Sequence, residues 1–327
     1  MKRALILGIN GQDGSYLAEI LLEKGYDEVH GLIRRTATGN TRNIEPLLDR
    51  IKLHYGDLAD PVSLHRIIAE TRPQEIYNEA DQDHAGISFM IPAYNYDVTG
   101  AAVGRILEII RQVDRSIKFF QPVTSNMFGV ASQCPQDENT RFNPMNPYAC
   151  AKAFAYNLSQ MYREVYGMFV SVGIFYNHES PRRTEDYVTR KISRTVAKIK
   201  GGLQDKLVLG DMSALIDWGY SREYMEAAWR IMQLESSDTF VIGTGEVHSV
   251  KEFVEEAFAC VGLDPALYVE SSQQFFRPAQ NSVLQADISK AGRVFGFDPQ
   301  VKFKELVRIM VEHDLKDLGV DSGIALP

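Results

Sequence analysis

Three cysteines in 327 residues, Cys134, Cys150 and Cys260, are too few and too widely spaced for a disulfide framework or a thiolate metal centre. Their scarcity fits buried structural thiols in a reducing compartment. No run approaches the ~20 apolar residues of a membrane span. The opening MKRALILG passes directly into a strand-like run without an apolar signal core, so cytoplasm is the expected compartment. Positive charge is also short: 35 Lys and Arg against 43 Asp and Glu leave a net charge of −8, and neither nucleic acid nor an anionic membrane is an expected partner. Internal repeats and low-complexity segments are absent. What is there, 45% hydrophobic and 24% charged residues, suits a globular chain long enough for two packed units.

Short apolar runs alternate with longer helical periods from Arg3 to about Tyr176. That pattern predicts an α/β fold, a Rossmann-type doubly wound parallel sheet covered on both faces. Strands are expected at Arg3–Gly8, Glu28–Ile33, Ile51–Tyr55, Glu75–Asn78, Ile117–Gln121 and Phe169–Phe175. Leu17, Ile20 and Leu21 share a helical face stopped by Gly25, and a second helix opens at Asp60-Pro61, with a capping acid followed by proline in the first turn. After residue 176 the texture changes to polar loops and scattered helices, including ones near Ser249–Val261 and Phe303–Asp314. Residues 1–176 are therefore expected to bind a dinucleotide. Residues 177–327 are expected to form mainly a smaller substrate domain, interleaved with the first. In the basic run 190–200 the expected apolar side is Ile192, Val196 and Ile199, with most of the cations solvated.

The loop GINGQDG places Gly8, Gly11, Gln12, Asp13 and Gly14 between the first strand and the first helix. Glycines there let the backbone approach a pyrophosphate, and the helix N-terminus faces its charge. Arg34 and Arg35 follow the second strand where an acid would read a ribose hydroxyl; guanidinium groups suit a 2′-phosphate, which favours NADP over NAD. Asp57 and Leu58, after the third strand, are expected beside the adenine by analogy of fold. Further along, NPYACAK sets Tyr148 and Lys152 four residues apart on one helical face, behind Asn146 as N-cap and Pro147. A nearby ammonium favours tyrosinate, so the pair reads as the acid–base and ribose-holding groups of a hydride-transfer site. His84 and His178 lie among acids but lack ligand spacing, and no metal is expected.

These motifs, with IRRTATGNT, KLHYGDL, TSNMFG, NHESPRR, VTRKI, DWGYSREYMEA and TGEVHSVKEFVE, resemble the GDP-mannose 4,6-dehydratase family of extended short-chain dehydrogenases/reductases over nearly the whole chain. The resemblance implies an NADP-dependent lyase of deoxysugar biosynthesis that oxidises C4 of a nucleotide-diphosphate hexose, eliminates water across C5 and C6, and returns the hydride to C6. It implies that Thr124 binds the C4 oxygen, Tyr148 takes its proton and Lys152 holds the nicotinamide ribose. Ser88, Asn177, Val188, Lys191 and Arg277 match positions around the substrate. The loop at Arg34–Thr41 matches a segment that reaches a neighbouring subunit, implying a homo-oligomer, dimer or tetramer.

Departures from the family pattern are concentrated at the reacting end. Asn126 stands where the family has the glutamate that removes the C5 proton, and a carboxamide has no basic form near neutral pH. Ile216 replaces an arginine and Gln280 a glutamate. Glu79, Asp81 and Asp83 replace leucine, alanine and serine after the fourth strand, at the sheet edge where open α/β folds bind ligands. One of these acids, Asp83 or Asp81, is a candidate substitute base. Three readings stay open: a 4,6-dehydratase with a relocated base, a C4 oxidoreductase or epimerase on an altered nucleotide sugar, and a non-catalytic NADP-binding partner or regulator. Retention of Thr124, Tyr148 and Lys152 weighs against the last.

Overall fold

Strand β1 (Arg3–Leu7) sends Ala4 and Ile6 into one apolar layer and Leu5 and Leu7 into the other, because successive side chains of a strand point to opposite faces. A computed structural model describes residues 1–37, 39–272 and 282–321. Around β1 lie β2 (Glu28–Ile33), β3 (Lys52–Tyr55), β4 (Glu75–Asn78), β5 (Lys118–Thr124) and β6 (Val170–Phe175). The strand Thr239–Ile242 completes a seven-stranded sheet ordered Thr239–Ile242, β6, β5, β4, β1, β2, β3, with every pair parallel. This is the doubly wound sheet the alternation predicts. Its strand order reverses at β1, which opens the ligand crevice between β1 and β4.

Local chemistry explains the helices that cover it. Helix α1 (Gln12–Glu23) buries Leu17, Ile20 and Leu21 completely. Helix α2 (Pro61–Thr71) starts at Asp60, whose carboxylate accepts from the Val62 and Ser63 amides at 3.1 and 3.3 Å. The helix Pro147–Tyr166 is capped by Asn146, which accepts from the Ala149 amide at 2.8 Å, and it ends at Gly167 with φ +63°. A separate apolar cluster after residue 176 includes Ile192, Val196, Trp218, Phe253, Phe303 and Met310.

Several details differ from the expectation. β5 continues through Pro122 to Thr124 because Pro122 pairs with Gly173 of β6, and this carries the reacting end to the strand terminus. Phe240 and Val241, beyond residue 176, belong to the main sheet. Cys134 and Cys150 are exposed and Cys260 is half-buried, so the thiols are free but not uniformly buried. The basic run is less solvated than its composition suggests: Arg190 is 4% exposed and ion-paired with Asp314, and Arg194 meets Asp314 and Asp317 at 3.4 and 2.5 Å. Ile192, Val196 and Ile199 do form the buried side. Among the described residues no helix is long and apolar enough to cross a membrane.

Candidate active site

Directly after β1 the chain turns at Gly8, which has φ +80°; a Cβ there would lie 2.6 Å from the Glu79 carbonyl oxygen. A Cβ on Gly14 would lie 2.3 Å from the Gly8 oxygen. Only glycine lets this loop lie so close to β4. Gly11, extended and without a capping side chain, begins α1, so the helix presents its first amides and positive dipole end to the crevice. Gln12 and Asp13 contribute backbone to that edge, but their side chains are committed inward. Gln12 donates to the His178 carbonyl at 3.2 Å and accepts from the Ser180 hydroxyl at 2.7 Å. Asp13 meets His178 Nε2 at 2.9 Å and accepts from the Ser221 hydroxyl at 2.6 Å. Burial opposes ionisation of Asp13, but the His178 charge and these hydrogen bonds outweigh it and hold the acid well below its usual range; the same contact raises His178 against its own burial.

Farther along the edge, Arg34 and Arg35 are exposed just past β2, and Arg34 Nη1 donates to the Tyr94 hydroxyl at 2.6 Å. Asp57 and Leu58 follow β3. The Asp57 carboxylate accepts from the Ala59 amide at 2.9 Å, and the buried Leu58 offers its carbonyl to Arg105. A glycine cradle and an uncapped helix start at a strand-order reversal fit a nicotinamide dinucleotide, with two exposed guanidinium groups at the same edge.

The residues expected to react lie on β5, the turn after it and the helix Pro147–Tyr166. Thr124 ends β5 and is the N-cap of a short turn, Ser125–Phe128. Its Oγ1 accepts from the Asn126 amide at 3.2 Å and from Asn126 Nδ2 at 3.0 Å. Both lone pairs are thereby engaged, leaving the hydroxyl proton to be donated. Tyr148 and Lys152 are buried on the helix Pro147–Tyr166, and the Lys152 ammonium lies 5.7 Å from the Tyr148 ring centre. Lys152 Nζ also donates to the Pro122 carbonyl at 2.9 Å and pairs with Asp81 at 2.6 Å. Burial, then the charges of Asp81 and Asp83, push the Tyr148 phenol well above its ordinary value.

The three acids after β4 take different directions. Glu79 has a buried oxygen, Oε1, with no hydrogen-bond partner among the described residues; burial first, then the Asp13 charge, raises it well above the usual carboxylate value, which favours its neutral form. Asp81 is raised by burial, with Lys152 opposing. Asp83, its side chain 51% exposed, pairs with Arg183 at 3.3 Å, and Arg183 also reaches Glu179 at 3.4 Å and stacks 3.7 Å from the Tyr187 ring centre. Arg183 reads from the sequence as one of a solvated run of cations, with Arg182, and is instead mostly buried and paired, while Tyr187 carries no sequence signal; nothing local in NHESPRR says that its second arginine turns towards Asp83.

The substrate-side positions divide. Asn177 is exposed, and Val188 and Lys191 lie in the first turn of the uncapped helix Val188–Lys200. Ser88 is fully buried, donates to the Ala85 carbonyl at 2.6 Å and accepts from the Tyr148 amide at 3.3 Å, which ties it to the start of the helix Pro147–Tyr166. Ile216 pairs with His248 and packs on the apolar cluster of the C-terminal half, offering no charge. Arg277 and Gln280 lie outside the described residues. Among the described residues no group of three or more His, Cys, Asp or Glu side chains could hold a metal ion.

The family model described as GDP-mannose 4,6 dehydratase matches residues 5–310. GDP-mannose 4,6 dehydratase 2 of Arabidopsis thaliana is 48% identical, over 96% of this chain and 87% of the relative. The Homo sapiens GDP-mannose 4,6 dehydratase is 44% identical, over 96% and 91%. Among solved structures, dTDP-glucose 4,6-dehydratase from Bacillus anthracis in complex with NAD superposes with a TM-score of 0.85 at 21% identity, covering 98% of each chain, a likeness of fold.

Proposed function

We propose that this chain, which belongs to the GDP-mannose 4,6-dehydratase family, is a lyase that converts a GDP-hexose of the mannose type into its 4-keto-6-deoxy derivative. The observation that carries this reading is the Tyr148–Lys152 helix held to the end of β5, where Lys152 donates to the Pro122 carbonyl at 2.9 Å two residues before Thr124, in a chain matched to that family over residues 5–310. A nicotinamide cofactor fits the cradle formed by Gly8, Gly11 and Gly14 with the Gln12 and Asp13 backbone, and by Asp57, Leu58 and Lys152. Arg34 and Arg35 favour NADP. When bound, NADP supplies the acceptor for the C4 hydrogen and gives that hydrogen back at C6.

Around that exchange the protein handles protons. Thr124, oriented as a donor by Asn126, holds the C4 oxygen, and Tyr148 takes the C4 hydroxyl proton. Asn126 cannot remove the C5 proton. Of the three loop acids, Glu79 favours its neutral form and Asp81 is tied to Lys152, which leaves the half-exposed Asp83 as base. Asp83 takes the C5 proton and passes it to the departing C6 hydroxyl, so water leaves and the carboxylate is regenerated. A solvent proton taken up at C5 completes the product, and Tyr148 returns the C4 hydroxyl proton to solvent, which restores its phenolate for the next turnover.

Asn177, Val188, Lys191 and Arg277 are assigned to the nucleotide end, in the part of the chain after Tyr176. A homo-oligomer is supported by an apolar groove between Ala93, Tyr96, Ala101, Ala151 and Phe154, in which Tyr96 and Phe154 are about half exposed. Free thiols at Cys134 and Cys150 favour a cytoplasmic, reducing setting. The test is incubation with NADP and GDP-, UDP-, CDP- or dTDP-hexoses in deuterated water, followed by mass and NMR analysis. A 4-keto-6-deoxy product from the GDP sugar, deuterated at C5, is expected. A 4-keto or epimerised product retaining the C6 hydroxyl would overturn the dehydratase reading in favour of C4 chemistry alone.

A further inference from the structure

The Lys152 ammonium carries two contacts that fix it against the sheet: the Pro122 carbonyl of β5 at 2.9 Å and the Asp81 carboxylate of the loop after β4 at 2.6 Å. Lys152 is buried and Asp81 is partly buried, with side-chain exposures of 6% and 15%. Tyr148, one helical turn away, has the ammonium 5.7 Å from its ring centre. A lysine so placed acidifies a phenol by its unit positive charge. Here an opposite charge stands closer to the ammonium than the tyrosine does, and Tyr148 faces a dipole in place of a net cation.

We propose that Asp81 is a positioning residue that clamps Lys152 between β5 and the loop after β4 and withholds its charge from the Tyr148 hydroxyl. The proposal rests on the assignment of Tyr148 and Lys152 as the hydride-transfer pair. The other charged and titratable groups around them act in known directions. From the same loop, Asp83 adds negative charge at Tyr148, and Glu79, close enough to sense Lys152, favours its neutral form. Asp13 at the start of α1 acts on Glu79 and Asp81, and Tyr187 and Arg183, which precede the helix Val188–Lys200, oppose one another at Tyr148. Of the acids acting on Tyr148, Asp81 is the one paired with its lysine. With the 5.7 Å to the ring centre as the scale of the separation, a unit charge in a medium of effective dielectric constant about 20 shifts a titrating group by about two pKa units. Releasing Lys152 from Asp81 should therefore lower the phenol by on the order of one to two units.

The experiment installs 3,5-difluorotyrosine at position 148, whose phenol ionises at lower pH than tyrosine and whose fluorine resonance is the only one in the protein. Titration is followed by fluorine NMR without cofactor or sugar, with Asp81 intact and in Asp81→Asn, Asp81→Glu and Asp81→Asn/Lys152→Met. The midpoint is expected to fall by about one unit or more in Asp81→Asn. It should stay near the parent in Asp81→Glu, and the fall should vanish when Lys152 is also removed. A midpoint in Asp81→Asn within about 0.3 unit of the parent, or an equal fall in Asp81→Glu, overturns the proposal. If circular dichroism shows that Asp81→Asn does not fold, Asp81→Ser is read by the same criteria. No turnover is measured, so failure of the dehydratase reading and failure of the clamp are separate results.

Discussion

Replacing Asp83 by asparagine separates chemistry from structure because the two costs differ greatly in size. Its carboxylate is about half exposed and meets Arg183 at 3.3 Å, while Arg183 keeps Glu179 at 3.4 Å. Losing an exposed pair of this kind costs at most about 1 kcal/mol of stability. Losing a general base lowers rate by about 10²- to 10⁴-fold, roughly 3 to 5.5 kcal/mol of barrier. Asp83→Asn should therefore fold normally, still reduce NADP on mixing with GDP-mannose, and lose formation of the 4-keto-6-deoxy product by about 10² or more. Stopped-flow absorbance reads the first event, and deuterium incorporation at C5 reads the second. Adding Asn126→Glu should restore at least about tenfold, since residue 126 already lies 3.0 Å from the Thr124 hydroxyl and a carboxylate there is a base in its own right. Product formation by Asp83→Asn within about threefold of the parent would refute the relocated base. An equal loss of NADP reduction would assign Asp83 to binding instead.

Three further outcomes test other parts of the molecule. Arg34→Ala should weaken NADP about 10- to 100-fold, the worth of a charge-assisted hydrogen bond, with little change for NAD in calorimetric titration; equal losses would remove the 2′-phosphate assignment. Asp217, 1% exposed, accepts from the Thr244, Gly245 and Ala286 amides at 2.9, 2.9 and 3.1 Å; Asp217→Ala strands these donors and should cost about 3 kcal/mol or more in denaturant unfolding. His30 Nδ1 and His54 Nε2 lie 2.9 Å apart, and burial lowers both pKa values from 6.5, aided at His54 by the His30 charge. The unfolded chain then takes up protons first as pH falls through 6.5, so stability present above that pH should decline between about pH 7 and 5, and His54→Gln should flatten the melting-temperature profile there.

The parts of this protein legible in its sequence are those set by neighbours along the chain. Alternation in β1, the caps Asp60 and Asn146, the glycines of the cofactor loop and the four-residue spacing of Tyr148 and Lys152 each depend on a few adjacent residues, and each took the expected form. That local consistency also carried the family resemblance. Pairing partners were less legible. Pro122 ends a strand in isolation, yet β6 holds it in the sheet, and Phe240 and Val241 join the same sheet from more than 60 residues beyond β6. Arg190 reads as a surface cation until Asp314, on another helix, is brought against it.

The acids at 79, 81 and 83 show the division most clearly. Their two-residue spacing would send all three to one side of an extended strand. β4 ends at Asn78, however, and the loop sends one carboxyl into an unpaired burial, one to Lys152 and one to Arg183. By itself the sequence determined that residue 126 is a carboxamide that cannot act as a base and that carboxyl groups recur at 79, 81 and 83, because residue identity decides which groups can ionise. Only the tertiary structure decided which acid is buried without a partner, which is tied to the lysine and which is exposed beside Arg183, because burial and charge–charge distance are set by the packing of β4, β5, the helix Pro147–Tyr166 and the Arg183 segment around them.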